Sequence, residues 1–194
     1  MSSLQKRFRK KIEELQRIGN QMGVDNPLGH YAYREMIMAE YLGHNHKTSK
    51  GNNKTSENYG SDAEDPSDGR PCEYKSMSCK SDAQERRILN RESGMVRLNG
   101  TYNGAYTKES VKQYRKRGIK HYFSLWNPGI TPYAPLAIVR VDAEHVARQL
   151  MEGVRKIQES DDGSTNNNKA SVKINPATGQ FTLGDGEIMY LYDQ

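Results

Sequence analysis

Apolar residues recur at helical spacing over residues 4 to 18, where Leu4, Phe8, Ile12, Leu15 and Ile18 form a stripe among Lys6, Arg7, Arg9, Lys10 and Lys11. That period predicts a basic amphipathic helix, which either touches phosphate or simply solvates its charges over a packed apolar stripe. Gly19, Gly23, Pro27 and Gly29 interrupt the pattern before a second helix from about His30 to Leu42, with Gly43 placed to end it as a C′ residue. This second helix is apolar nearly all round, which argues for burial against a sheet. Glu35 and Glu40 therefore need a partner or a metal; pairing with Arg34 or a surface lysine is the alternative for each. Residues 44 to 60 are polar, rich in Gly and Asn, and free of apolar periodicity. They predict a loop carrying His44 and His46 as exposed side chains.

Beyond residue 81, Asp82 to Arg91 has the composition of a short charged helix, and the Val96/Leu98 alternation favours a strand, with Asn99-Gly100 and Asn103-Gly104 as turn signals. Thr107 is a plausible N-cap for a helix running through Val111 and Tyr114 to Gly118. Two near-continuous apolar runs, His121 to Trp126 and Leu136 to Asp142, predict central strands covered on both faces. Ala143 to Glu159 places Val146, Leu150, Val154 and Ile157 on one stripe and predicts a helix. Residues 160 to 170 form a polar linker or long turn, and 170 to 194 hold three short strands that either extend the sheet or meet a partner subunit. The expected fold class is α/β in the broad α+β sense: a mixed sheet flanked by helices, in one domain over residues 1–194 that includes a basic helical segment at 1–29.

The chemistry concentrates in Ser61 to Ser76. Pro66-Ser67-Asp68-Gly69 has type I turn composition. With those four residues as the loop, Asp65 faces Arg70, Ala63 faces Cys72, and Asp62 falls opposite Glu73. The side-chain period of two then puts Asp62 and Glu64 on the same face as Glu73 and Lys75. Opposed side chains in such a pair stand roughly 4.5–5.5 Å apart at Cβ, and two carboxylates at that distance repel unless a cation lies between them. Hard oxygen ligands suit Mg²⁺ or Mn²⁺ better than zinc.

An acid, a short hairpin and then Glu73-Tyr74-Lys75 resembles the PD-(D/E)xK nuclease motif of restriction-endonuclease-like enzymes. The phrasing Gly60-Ser61-Asp62-Ala63 followed by Glu73-Tyr74-Lys75-Ser76 is similar to that of many small type II restriction enzymes. No Pro precedes Asp62 and the gap to Glu73 is short, so Glu64 and Asp65 stay open as the first acid. The resemblance covers about residues 30 to 142. It implies a restriction-endonuclease-like sheet and Mg²⁺-dependent hydrolysis of double-stranded DNA, with Mn²⁺ a possible substitute. In that reading Asp62, Glu73 and Lys75 are catalytic. Asp62, Glu73 and the Tyr74 carbonyl bind the metal, with Glu35 or Glu40 as an added acid from the preceding helix.

Twenty-nine Lys and Arg against 24 Asp and Glu give a net charge of +5 and a pI near 9.1, which favours an anionic partner. Arg97, Asn99, Tyr102, Asn103, Tyr106 and Lys108 form an aromatic and basic segment suited to base edges or sugar-phosphate. Lys112, Arg115, Lys116 and Arg117 form the densest basic cluster, suited to phosphate. The tyrosines fit ordinary packing equally well. Two cysteines, Cys72 and Cys79, indicate neither a disulfide framework nor a zinc set and fit a reducing compartment. No run approaches the ~20 apolar residues of a membrane span. The expectation is a cytoplasmic protein without a membrane partner. It acts as a homodimer, because one acidic site cuts one strand and duplex scission needs two related by a two-fold axis. The alternatives are a non-catalytic nucleic-acid-binding protein and a sequence-nonspecific repair or phage nuclease of the same fold.

Overall fold

The computed structural model describes residues 3–21, 30–47, 61–103, 107–127, 134–159 and 167–193. Its described elements run in chain order α1 (Ser3–Gln21), α2 (His30–Leu42), β1 (Asn45–His46), β2 (Ala63–Glu64), β3 (Pro71–Ser78), α3 (Asp82–Leu89), β4 (Val96–Asn103), α4 (Lys108–Lys116), β5 (Lys120–Trp126), β6 (Ala137–Val141), α5 (Ala143–Glu159), β7 (Asn167–Ile174), β8 (Phe181–Leu183) and β9 (Gly186–Leu191). The fold is mixed α+β, as the pattern of elements predicts.

Six strands form one sheet in the order β1-β2-β3-β5-β6-β9, in which only the β3–β5 pair is parallel. The parallel pair requires a crossover, and α3, β4 and α4 supply it. Three antiparallel strands, β4-β7-β8, make a second sheet. Alternation along β5 decides the layering. Phe123 and Leu125 point into a core shared with Val96, Leu98 and Tyr102 of β4, Val172 and Ile174 of β7, and Val146, Leu150 and Val154 of α5. Tyr122 and Trp126 point the other way, onto Met38 and Ala39 of α2 with Ala63, Cys72 and Tyr74. The central strand is thus buried on both faces, as its near-continuous apolar run predicts.

Several sequence expectations need correction. Asn99-Gly100 does not turn: β4 runs straight through it, paired residue for residue with β7. The reason is steric, since a Cβ on Gly100 would lie 2.6 Å from the Phe123 ring and 2.9 Å from Cγ of Lys75. Glycine here permits close approach of the two sheets rather than a bend. The polar stretch 44–60 is not loop from its start, because Asn45 and His46 form β1 against β2; residues 48–60 lie outside the described residues. His44 is not exposed: its Nδ1 lies 2.7 Å from the Tyr74 hydroxyl and its side chain is 5 % accessible. On α2 the buried side holds Arg34, Met38 and Ala39, while Glu40 and Tyr41 face solvent. The apolar stripe of α1 is open too, with Leu4, Leu15 and Ile18 exposed. Of the three C-terminal strands, β9 extends the six-stranded sheet and β7 and β8 build the second one. Among the described residues no helix is long and apolar enough to cross a membrane.

Candidate active site

From Ala63 to the turn the hairpin forms in the predicted register. Ala63 pairs with Cys72 and Glu64 with Pro71; the Asp62 amide donates to the Cys72 carbonyl and the Asp65 amide to the Arg70 carbonyl, both at 2.9 Å. Asp65 closes the turn by accepting from the Ser67 amide and hydroxyl at 2.8 and 2.6 Å, an Asx-turn that explains the Asp-Pro-Ser-Asp-Gly composition. Gly69 takes the left-handed conformation at φ +68°.

Their partners separate the three candidate first acids. Asp65 and Asp68 both reach the Lys120 ammonium, at 2.6 and 2.8 Å. Those hydrogen bonds, with those from Ser67, hold the Asp65 carboxyl far below the usual carboxylate range. Asp65 is thereby committed to the turn and to β5. Glu64 lies 3.7 Å from Lys47 with a half-exposed side chain. Asp62 is the one on whose carboxyl the charges of Glu73 and Glu35 act. Its Oδ2 accepts the Tyr74 amide at 2.6 Å.

Burial pushes the Asp62 carboxyl well up, the negative charges of Glu73 and then Glu35 push it further, and Lys75 and the Tyr74 amide oppose them. A buried carboxylate crowded by two others is the arrangement that a bound cation relieves. Glu35 enters from α2, one residue past Arg34. Arg34 anchors that turn of the helix by donating to Ser78 Oγ at 3.3 Å and laying its guanidinium 5.1 Å from the Trp126 ring centroid. Glu40, the other helical candidate, is solvated.

Glu73 and Lys75 stand two apart on β3, both largely buried, and their side chains form a close ion pair. Along a strand, the amide and carbonyl of one residue point to the same side. Tyr74 gives its amide to Asp62, so its carbonyl faces the same edge, beyond the end of β2. No group of three or more His, Cys, Asp and Glu side chains among the described residues is assembled to hold a metal ion. A divalent cation of the Mg²⁺ type is commonly held by only one or two carboxylates and otherwise by water and substrate phosphate. Asp62 and Glu73 with the Tyr74 carbonyl fit that demand: all are hard oxygen donors, and the charges of Glu73 and Glu35 both crowd Asp62.

The residues assigned to DNA divide. Arg97, Lys108, Lys112, Arg115, Lys116 and Arg117 are exposed. Lys112 has an acidic neighbour in Glu109 at 3.9 Å, and Arg115 in Glu144 at 2.5 Å. Asn99 is engaged within the second sheet, its side-chain oxygen accepting from Ser171 Oγ at 2.7 Å. Tyr102 is 1 % accessible, so its ring is no surface contact; it packs in the core beside His121 and Phe123. Tyr106 and the side chain of Asn103 lie outside the described residues.

Sequence reasoning missed two residues beside the hairpin. Gly100 makes room for the Lys75 stem, and its inward place in the alternation Val96, Leu98, Gly100, Tyr102 was the available signal. His121 pairs with Glu73 across the parallel β3–β5 register and lies 3.0 Å from the Tyr102 hydroxyl; nothing in the local sequence marks that non-local pairing. Comparison with protein-family models and with curated proteins finds no match for the chain.

Proposed function

We propose that this chain is a divalent-metal-dependent endonuclease that hydrolyses double-stranded DNA, acting as a homodimer in the manner of a type II restriction endonuclease. The observation that carries the reading is that Glu73, Glu35 and Lys75 all act on the Asp62 carboxyl, which accepts the Tyr74 amide beside them, while Lys75 pairs with Glu73. Asp62, Glu73 and the Tyr74 carbonyl would hold Mg²⁺ or Mn²⁺, and Glu35 would add negative charge from behind. The bound cation supplies Lewis acidity toward the phosphate and the attacking water.

The protein's own groups do the rest. Lys75 presents a point positive charge on the face of the acids, where it orients the attacking water and stabilises charge developing on phosphorus. The Tyr74 amide fixes the rotamer of Asp62, so one carboxylate oxygen stays turned to the site. The exposed cations of β4 and α4 give the surface its attraction for phosphate. The one set of acids proposed here among the described residues cuts one strand, which is the reason for the dimer.

The decisive experiment incubates defined duplex DNA with the protein in Mg²⁺ or in EDTA and maps the cut ends. Cleavage in Mg²⁺ only, abolished in folded Lys75→Ala and Glu73→Ala proteins that still bind the duplex, is the expected result. Binding that survives chelation with no cleavage in either buffer would instead make the chain a nucleic-acid-binding protein. Cleavage without sequence preference by a protein that sediments as a monomer would keep the chemistry and remove the restriction-enzyme reading.

A further inference from the structure

We propose that Tyr102 is a positioning residue for Lys75, its ring holding the ammonium in place when Glu73 turns from that ammonium to a divalent cation; the inference rests on the nuclease reading of the hairpin. Lysine carries its charge on a flexible four-carbon stem, so a catalytic ammonium needs something to fix it. Here Lys75 Nζ sits 5.1 Å from the centroid of the Tyr102 ring, within the range over which an aromatic face attracts a cation. The same ammonium also pairs with Glu73. That pairing is in conflict with the role given to Glu73, because a carboxylate spent on a metal ion no longer neutralises the lysine. The ring has no such second duty.

The surroundings hold the ring rigid. Tyr102 is buried to 1 % accessibility, its hydroxyl is tied to His121 Nδ1 at 3.0 Å, and its edge meets the His121 ring at a centroid distance of 5.9 Å. On the same strand Gly100 leaves the gap through which the lysine stem passes, since a Cβ there would touch Lys75 Cγ. Strand β4 thus meets the hairpin lysine twice, once by an absent side chain and once by an aromatic face. The Phe123 ring packs on Tyr102 at a centroid distance of 6.5 Å, and the Lys75 side chain is 20 % accessible, a partly desolvated setting that strengthens cation–π attraction.

The test has a spectroscopic arm and a kinetic arm. In the unmodified metal-free protein, the ε-methylene proton resonances of Lys75, identified by their disappearance in Lys75→Arg, are expected upfield of ordinary lysine from the ring current of Tyr102. The shift should persist on addition of Mg²⁺. Ordinary shifts, or loss of the shift with metal, would overturn the proposal without any kinetic measurement. In the kinetic arm, Tyr102→Leu should lower kcat by about 10- to 30-fold, the equivalent of losing a desolvated cation–π contact. KM for duplex DNA should stay within about 2-fold, since a buried ring touches no substrate. Tyr102→Phe, which keeps the aromatic face and loses the hydroxyl, should recover kcat to within about 3-fold of wild type. A folded Tyr102→Leu protein with unchanged kcat, or a Phe variant as poor as the Leu variant, would sink the proposal while leaving the nuclease intact. Absence of cleavage by the wild type would sink the nuclease reading, and the spectroscopic arm would still decide where the ring holds the lysine.

Discussion

At the residue scale, Asp62 and Asp65 are separated by three positions and by opposite environments. Asp62 is buried among like charges, whereas Asp65 is saturated by Lys120 and the Ser67 hydrogen bonds. Replacing each by asparagine should therefore have opposite effects. Asp62→Asn should abolish Mg²⁺-dependent cleavage and raise the Tm of the metal-free protein, because the amide keeps an acceptor for the Tyr74 amide and removes a crowded buried charge. Asp65→Asn should lower Tm at neutral pH while cleavage survives. The sign follows from the shift: a carboxyl depressed in the folded state adds stability above its ordinary value and loses it as pH falls through the depressed one. Thermal melts and cleavage assays on the two proteins check both halves, and equal loss of cleavage would mean that the hairpin face has been misassigned.

At the scale of elements, strand β4 joins the second sheet to the site, and Gly100 is where they touch. A methyl group there meets the Lys75 stem and the Phe123 ring, which is packed in the core. Gly100→Ala should destabilise the protein by about 1–3 kcal/mol, the usual cost of overpacking. It should also reduce cleavage below what the folded fraction accounts for, since Lys75 is displaced with the strand; denaturant titration beside single-turnover cleavage separates the two. This contact also shows what was legible in the sequence. The hairpin register could be read because it is local: the Asp65 to Gly69 turn chemistry fixes the loop, and a period of two does the rest. Helix α5 could be read for the same reason, from the stripe of Val146, Leu150, Val154 and Ile157, and α2 from a local apolar run closed by Gly43. Asn99-Gly100 could not, because its dipeptide favours a turn in isolation and only the distant Phe123 and Lys75 make glycine the residue a strand needs there. Tyr102 lies on the same inward alternation, but the turn signal at Asn99-Gly100 broke that alternation on paper until β4 was seen paired with β7.

At the scale of the whole molecule, the histidine behind Tyr102 sets a pH limit on the fold. His121 lies between the two sheets, 2 % accessible, and burial, aided by the charge of Lys75, pushes its imidazole down to about 3. In the unfolded chain the same group protonates near its ordinary value of about 6.5. Between those two values the unfolded state binds a proton that the native state refuses, so stability falls as pH drops from about 6.5 toward 3. The melting temperature should decline across that window. His121→Gln, which keeps a polar atom for the Tyr102 hydroxyl but has no proton to gain, should start from a lower Tm at neutral pH and show a flatter acid limb. Because His121 pairs with Glu73 across the parallel strands and holds the ring that faces Lys75, its protonation would open the core at the site itself. Far-ultraviolet melts of both proteins from about pH 7.5 to pH 3 provide the check. A variant whose acid limb stays as steep as that of wild type would assign the loss of stability to other groups and leave His121 with a packing role alone.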